Sequence, residues 1–191
     1  IPRRPINQGF RTMPPLPRFL ERIRSGQPVL SDGAMGTMLH QRGVSFSGCF
    51  DQLNLTQPEV VVSIHREYIA AGSHMIQTNT FGANRFKLTQ HGLLDDLKVI
   101  NTAGVELARR AVKESGKDTL IAGDIGPLGV RLAPFGRVQL EDARAAFAEQ
   151  VTILADAGVD LILIETMTDL YEVVEVIKAR REVAPHLPVI A

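Results

Sequence analysis

The sequence has little cysteine, no surplus of charge of either sign and no long apolar run. Because Cys49 is the only cysteine among 191 residues, the chain has no internal disulfide and no cysteine metal cluster, and a reducing cytoplasm fits it best. Lysine plus arginine and aspartate plus glutamate number 21 each, which excludes a broad positive field for nucleic acid or an anionic membrane surface. No apolar stretch approaches the roughly 20 residues that cross a bilayer. We therefore predict a small-molecule partner, with no nucleic acid and no membrane.

Apart from its first residues, the chain has the composition of a globular protein. Apolar residues make up 45% and charged residues 22%, and the length suffices for one well-cored domain. Residues 1–12 differ, since they carry three arginines, no acidic residue and no apolar periodicity. An organellar transit peptide and a disordered leader ahead of a natural start at Met13 are both open, and we favour the leader. The predicted domain covers residues 13–191.

Short apolar runs alternate with long amphipathic segments along this domain. The strands are predicted at 28–31, 74–78, 119–123, 160–164 and 187–191, and the main helices at 17–26, 58–71, 93–115, 140–157 and 170–182. Continuous apolar strands separated by amphipathic helices indicate a parallel sheet covered by helices. Alternation alone does not separate a closed barrel from an open doubly wound sheet. Polar residues or glycine directly after each strand favour a (β/α)8 barrel, whose active site is built at that end of the strands.

The number of strands is the second constraint on the fold. Four strand–helix units and the start of a fifth strand are predicted, whereas a closed barrel of this type needs eight. An open sheet of this size would expose its apolar interior and two unpaired edges. We therefore expect a (β/α)8 TIM-type barrel of which only about the first half is present, within a longer chain. Closure by pairing with a second copy is the alternative.

Loops after two predicted strands carry carboxylates that could bind a ligand. Asp32 follows the first strand and could accept a hydrogen bond from a ligand ammonium, while Gly33 would let backbone N–H groups approach an anion. The alternative is a simple turn with Asp32 as a helix N-cap. Glu165 follows the fourth strand at the rim of a buried interior, where a carboxylate needs either a ligand ammonium or a neighbouring arginine or lysine. Together the two carboxylates predict a site for the ammonium group of an amino acid.

The remaining loops supply weaker candidates. Asn79 and Thr80 offer donors and acceptors after the second strand, unless this loop is merely polar with Asn84 as a helix cap. The loop at 122–129 has three glycines and one proline, so no bulky side chain would crowd a ligand there, although a simple chain reversal uses the same residues. The histidines lack metal-ligand spacing, and Cys49 has no neighbouring base. We interpret Cys49 as a bystander to catalysis and assign the histidines surface or helix roles.

Five segments in a fixed order resemble the homocysteine S-methyltransferase family, over a span from about Val29 to Ala191. They are DGAMGT at 32–37, LNLTQPE at 53–59, AG through QTNTFGAN at 71–84, IGP at 125–127 and ET at 165–166. The resemblance implies a methyltransferase of one-carbon metabolism that converts homocysteine to methionine. It also implies zinc held by three cysteine thiolates, which binds the homocysteine sulfur and keeps it as the attacking thiolate.

The resemblance assigns roles by position. The substrate-binding residues that it implies are Asp32, Gly33, Ala34, Asn79, Thr80 and Glu165. The first three would hold the carboxylate and ammonium groups of homocysteine, Glu165 would also bind the ammonium, and the other two would line the pocket. The family's zinc cysteines belong to later strands. We therefore expect no catalytic residue and no metal ligand before Ala191, and no activity from this fragment alone.

The methyl donor and the subfamily stay open. Methyltetrahydrofolate, methylcobalamin and methylated sulfonium compounds all serve the family, often presented by an additional folate, cobalamin or reductase domain. The short segment before Leu53 favours the type fused to methylenetetrahydrofolate reductase over the amino-terminal domain of methionine synthase. Two other interpretations are a non-catalytic amino-acid-binding or interaction module and an unrelated barrel lyase or aldolase with Glu165 or Asp124 as general base. The lyase would need a lysine or metal cluster near the strand ends, and the sequence indicates none.

Overall fold

The computed structural model of the chain describes residues 16–45 and 48–191, so the predicted leader at residues 1–12 lies outside the described part. The described helices are α1 (Arg18–Arg24), α2 (Met35–Gln41), α3 (Leu53–Thr56), α4 (Pro58–Ala71), α5 (Arg85–Gln90), α6 (Leu97–Ser115), α7 (Leu140–Ala157) and α8 (Leu170–Val183). The described strands are β1 (Met75–Gln77), β2 (Leu120–Ile125), β3 (Leu161–Ile164) and β4 (Val189–Ile190). None of these helices is long and apolar enough to cross a membrane.

The strands form one parallel sheet in which neighbours in the chain are neighbours in space, in the order β1-β2-β3-β4. Ser31 adds a parallel bridge to Met75 on the outer side of β1. A doubly wound sheet reverses its strand order at a switch point, and the described strands show no reversal. The arrangement is that of successive units of a (β/α)8 barrel, the alternative that the sequence pattern favoured.

Successive side chains of each strand point to opposite sides, so the sheet has two different faces. One face joins Met75, Leu120, Ala122, Leu161 and Leu163 with Phe19 of α1 in a single apolar cluster. The opposite face carries Ile76, Ile121, Ile162 and Ile164, which belong to the larger core shared with the helices. The helices therefore cover the second face, and the first face is the one that would point to a barrel interior.

Helix α1 lies at the amino-terminal end of the sheet. Arg18 pairs with Asp118 and with Asp160, the latter at 3.0 Å, and these two residues come just before β2 and β3. Phe19, the next residue of the helix, packs against the interior face of the strands. The carboxyl ends of the strands are therefore left for other contacts.

The bounds of all five predicted strands differ from the structure by at least one residue; for example, β4 begins at Val189 and not at residue 187. Two of the differences have a clear physical cause. Only Ser31 of the predicted strand at 28–31 makes a strand bridge, and Pro28 in that segment has no N–H to donate to a ladder. At the other boundary, β2 continues two residues beyond the predicted end and includes Asp124 and Ile125. It does so because neighbouring chain segments supply partners: Asp124 N–H donates to a threonine hydroxyl at 3.0 Å, and Ile125 C=O accepts from the Glu165 N–H at 3.1 Å.

Amide side chains from the helices hold the loop that follows β1. Asn54 of α3 donates to the Asn79 carbonyl at 2.8 Å, and the Asn79 amide donates to the Phe50 carbonyl at 2.8 Å. Gln150 of α7 donates to the Thr80 carbonyl at 2.8 Å. Buried backbone carbonyls that are satisfied in this way leave the loop little freedom.

We expect Gly104→Ala to destabilise the protein by about 2 kcal/mol, although alanine normally favours a helix over glycine. A Cβ at this buried position of α6 would lie 2.7 Å from Thr80 Cγ2 and 2.9 Å from Asn54 Nδ2. It would therefore push on the side chains that hold the loop after β1. Urea unfolding measures the loss. Glu106→Ala, at an exposed position of the same helix, should change the unfolding free energy by less than about 0.5 kcal/mol, and an equal effect of both variants would contradict the packing argument.

Candidate functional site

A cavity of about 650 Å³ lies at the carboxyl ends of the strands. Its lining includes five of the six residues predicted from the sequence to bind substrate, namely Asp32, Gly33, Ala34, Asn79 and Glu165. The sixth residue, Thr80, is fully buried and is not part of the lining. Its hydroxyl donates to the Asp124 carbonyl at 2.8 Å and lies 2.6 Å from the Thr78 hydroxyl. Thr80 thus supports the cavity wall from behind.

A second cavity of similar volume, about 660 Å³, lies between α4 and α6. Its charged lining residues already have partners within the chain. Arg66 pairs with Glu114, and the Lys117 ammonium donates to the Ile69 carbonyl at 2.7 Å. The cavity at the strand ends is the better candidate, because several of its polar groups have no such partner within residues 16–45 and 48–191.

Asp32 is fixed by the neighbouring strand. Its Oδ2 accepts from the Gln77 N–H at 2.9 Å, and its Oδ1 lies 3.3 Å from the Ser31 hydroxyl. Burial raises the pKa of this carboxyl to about 6, against the lowering effect of these hydrogen bonds. The alternative role as N-cap is not observed, since Ala34 occupies the N-cap position of α2.

The backbone beside Asp32 offers donors to the cavity. The N–H groups of Gly33 and Ala34 have no hydrogen-bond acceptor among the described residues. The Ala34 carbonyl is engaged, because the Tyr68 hydroxyl donates to it at 3.2 Å. This contact holds the loop while its N–H groups stay available to an anionic group.

Glu165 enters the same cavity from the end of β3. Its backbone is held by the hydrogen bond to Ile125, but its side chain has no hydrogen bond and no ion pair within the described part of the chain. Partial burial raises the pKa of its carboxyl. Thr166, the next residue and also part of the lining, has a φ of 57°. That left-handed conformation is unusual for a β-branched residue, and such strain concentrates at functional sites.

The structure adds Asp124, which sequence interpretation left out of the binding site. Asp124 follows Leu120 and Ala122 on the interior face of β2 and lines the cavity, with only 5% of its surface exposed. Its Oδ1 is buried and has no hydrogen-bond partner among the described residues. Burial raises its pKa well above the usual value, and the nearby carboxyl of Glu165 adds to that effect. The period-two alternation of β2 would have revealed this residue had the strand been extended past Gly123.

Asp51 and Lys87 also belong to the ionisable residues that line the cavity. Asp51 is buried, accepts from the Gly82 N–H at 2.9 Å, and has a raised pKa because of that burial. The Lys87 ammonium lies 4.4 Å from the centroid of the Phe81 ring, and burial lowers its pKa. A lysine near the strand ends is therefore present after all; the sequence did not indicate it because Lys87 reaches the cavity from α5 and not from a strand.

The described residues do not fit a zinc site of cysteine thiolates. Cys49 is the only cysteine, and its pKa is raised by burial and by the neighbouring Asp51, which keeps the sulfur as a thiol. Within 16–45 and 48–191 there is no group of three histidine, cysteine, aspartate or glutamate residues able to hold a metal ion. The cavity is thus suited to binding an organic ligand through carboxylates and backbone N–H groups.

Fold and cavity together define a protein of the parallel α/β barrel class with an acidic cavity at the strand ends. Comparison with known sequences is more specific: the profile of the family described as Homocysteine S-methyltransferase matches residues 29–191. The chain belongs to this family. The family and the fold class predicted from the sequence are confirmed.

Curated relatives and solved structures agree with this membership. The chain is 32% identical over 182 residues to a methionine synthase of Mycobacterium tuberculosis, covering 88% of this chain and 15% of that protein. The corresponding values for a methionine synthase of Mycobacterium leprae are 31% over 174 residues, 84% and 14%. The homocysteine methyltransferase MmuM from Escherichia coli, in its metallated form, superposes with a TM-score of 0.76 at 26% identity. That match covers 89% of this chain and 64% of MmuM, so the chain spans less than two thirds of each of these relatives.

Proposed function

We propose that this chain forms the homocysteine-binding part of a homocysteine S-methyltransferase, which transfers a methyl group to the sulfur of L-homocysteine and yields methionine. One observation carries the proposal. Asp32 and Glu165 line a single cavity, and neither carboxylate has an ion-pair partner among the described residues. A buried carboxylate favours a cationic partner, and the ammonium group of the family's substrate supplies one.

In this proposal the chain's own residues bind and orient the amino acid end of homocysteine. The ammonium donates to the carboxylates of Asp32 and Glu165, and the carboxylate accepts from the free N–H groups of Gly33 and Ala34. Asn79, whose amide is engaged with Phe50 and Asn54, contributes a rigid wall. Although burial raises the pKa of Asp32 to about 6, this value is still below pH 7.5, so the carboxyl is mostly ionised at that pH. A ligand anchored at this end presents its sulfur at a defined position.

Zinc and the methyl donor complete the proposed activity. In this family zinc keeps the substrate sulfur as a thiolate, the form that attacks a methyl group. Since the described residues do not fit zinc, we propose that its cysteine ligands come from outside this chain. Methyltetrahydrofolate, methylcobalamin or a methylated sulfonium compound would be the donor, presented by a folate, cobalamin or reductase domain of the whole protein. A cytoplasmic location stays a prediction.

The test is methionine formation by the full-length protein. The zinc-loaded protein should convert L-homocysteine to methionine with at least one of methyltetrahydrofolate, methylcobalamin and S-methylmethionine, as measured by mass spectrometry. Removal of zinc with a chelator should abolish the product, and zinc should restore it. Binding of L-homocysteine without methyl transfer from any donor would contradict the proposal and support a non-catalytic amino-acid-binding module.

A further inference from the structure

Asp124 is the most deeply buried carboxyl group in the cavity that has an unpartnered oxygen. It is 5% exposed, and its Oδ1 has no partner within the described part of the chain. Asp51, the other buried carboxyl of the lining, uses both oxygens, one for the Gly82 N–H at 2.9 Å and the other for the Cys49 sulfur at 3.7 Å. A buried polar atom without a partner costs free energy. Internal hydrogen bonds therefore account for the burial of the Asp51 carboxyl group, but they do not account for that of Asp124.

The backbone of Asp124 holds its side chain at a fixed place. Its N–H donates to the Thr78 hydroxyl at 3.0 Å, and its carbonyl accepts from the Thr80 hydroxyl at 2.8 Å. Asp124 pairs in register with Leu163 of β3, two residues before Glu165. Both side chains therefore belong to the interior face of adjacent strands and meet at the same end of the sheet. A site on strands is held more precisely than a site on loops.

We propose that Asp124 is a third acidic ligand of the substrate's ammonium group, alongside Asp32 and Glu165, and that the bound ammonium favours the carboxylate form of Asp124. An α-amino acid's ammonium group has three N–H bonds, and three carboxyl groups line the cavity that would receive it: Asp32 beside β1, Asp124 of β2 and Glu165 after β3. This inference rests on the proposed binding of an amino acid at this site.

The charges around Asp124 explain the change of state. Its neighbours are the carboxyl groups of Glu165, Asp51 and Asp32 and the ammonium of Lys87. Three acidic groups against one cation favour the protonated form of Asp124 in the empty cavity, and so does burial; together they raise its pKa well above the usual value. A bound ammonium adds one positive charge next to these groups and favours the carboxylate form, so ligand binding shifts Asp124 towards loss of its proton to solvent. Binding is then coupled to proton release.

The experiment compares two ligands that differ only in the ammonium group. Calorimetry measures binding of L-homocysteine and of 4-mercaptobutyrate, which keeps the thiol and the carboxylate, to the full-length protein and to Asp124→Asn. We expect the variant to bind L-homocysteine about tenfold to a hundredfold more weakly and 4-mercaptobutyrate with an affinity changed less than about twofold. In buffers of different ionisation enthalpy, binding of L-homocysteine should release more protons from wild type than from Asp124→Asn.

A matched control and a second variant complete the design. Asp142→Asn removes the same charge from an exposed position of α7 outside the cavity lining and should change the affinity for either ligand less than about twofold. Asp124→Ser serves if the asparagine variant is not folded, as checked by circular dichroism. Equal weakening of both ligands, or no weakening, would overturn the role of Asp124 while leaving homocysteine binding intact. Wild-type protein that binds L-methionine but not L-homocysteine, with the same dependence on Asp124, would overturn the proposed function and support the inference.

Discussion

Replacement of Glu165 by glutamine is expected to weaken binding of L-homocysteine by about tenfold to a hundredfold, because a hydrogen bond to a charged group typically contributes this much to affinity. Glutamine keeps the size of the side chain and removes only its charge. Glu165 has no partner within the described residues that could be left unsatisfied, so the fold should tolerate the change. Calorimetric titration with L-homocysteine measures the effect, and thermal unfolding checks stability.

The control for Glu165→Gln is Glu182→Gln on α8. Glu182 is an exposed glutamate that pairs with Arg144 at 3.5 Å, and it does not belong to the cavity lining. The same loss of charge there should change the affinity less than about twofold, since exposed ion pairs contribute little. An equal affinity of wild type and Glu165→Gln would show that this carboxylate does not bind the ammonium group and would remove the main support of the proposed function.

Acid is expected to destabilise the protein through His65, by about 2 kcal/mol at pH 5 relative to pH 7.5. His65 of α4 is fully buried, and neither ring nitrogen has a hydrogen-bond partner among the described residues. Burial lowers its pKa from 6.5 to about 4. The unfolded chain therefore binds a proton in the window between these two values while the folded chain does not. Stability from this residue is present above pH 6.5 and is lost as the pH falls towards 4.

The variant that isolates this effect is His65→Leu, which leaves an apolar side chain in an apolar place. Urea unfolding at pH 7.5 and pH 5 should show the difference between variant and wild type growing by about 2 kcal/mol on acidification. The test compares variant with wild type and does not use the pH dependence of wild type alone. The raised pKa of Asp32 stabilises the folded state on acidification in both proteins, and this contribution cancels in the comparison. His186→Leu, at an exposed position, should retain the wild-type pH dependence. A His65→Leu protein with that same dependence would refute the assignment.

Local signals in the sequence determined most of the helices. Helix α4 was predicted at its observed bounds, because proline suits its first turn and Gly72, with φ 111°, ends it in the left-handed conformation. Helix α7 was likewise predicted at its observed bounds, ended by Gly158 at φ 87°. The alternation of these helices with short apolar runs identified a parallel sheet. These features depend on residues a few positions apart, which a sequence displays directly.

Strand boundaries were harder to predict, because a strand ends where its partners end. Gly123 and Gly126 suggested a loop, yet β2 runs on through Asp124 because Thr78 and Glu165 on neighbouring segments supply its hydrogen bonds. The predicted first strand reduced to one bridge at Ser31. The hydrogen-bond partners of β2 and of Ser31 lie far away in the sequence, so the local sequence does not show them. Strand formation therefore depends more on context than helix formation does.

Some features of the candidate site were likewise predictable from the sequence, and others required the tertiary structure. The sequence by itself determined that Asp32 and Glu165 follow strands, and parallel strands bring their carboxyl ends to one edge, so their convergence on one cavity was predictable. Only the tertiary structure decided that Asp124 lines this cavity with an oxygen that no other described residue contacts by a hydrogen bond, that Thr80 lies behind the cavity wall, and that Lys87 reaches the cavity from α5. Burial and the lack of a partner are properties of packing between distant segments, and packing is what moves a pKa and leaves a buried oxygen available to a ligand.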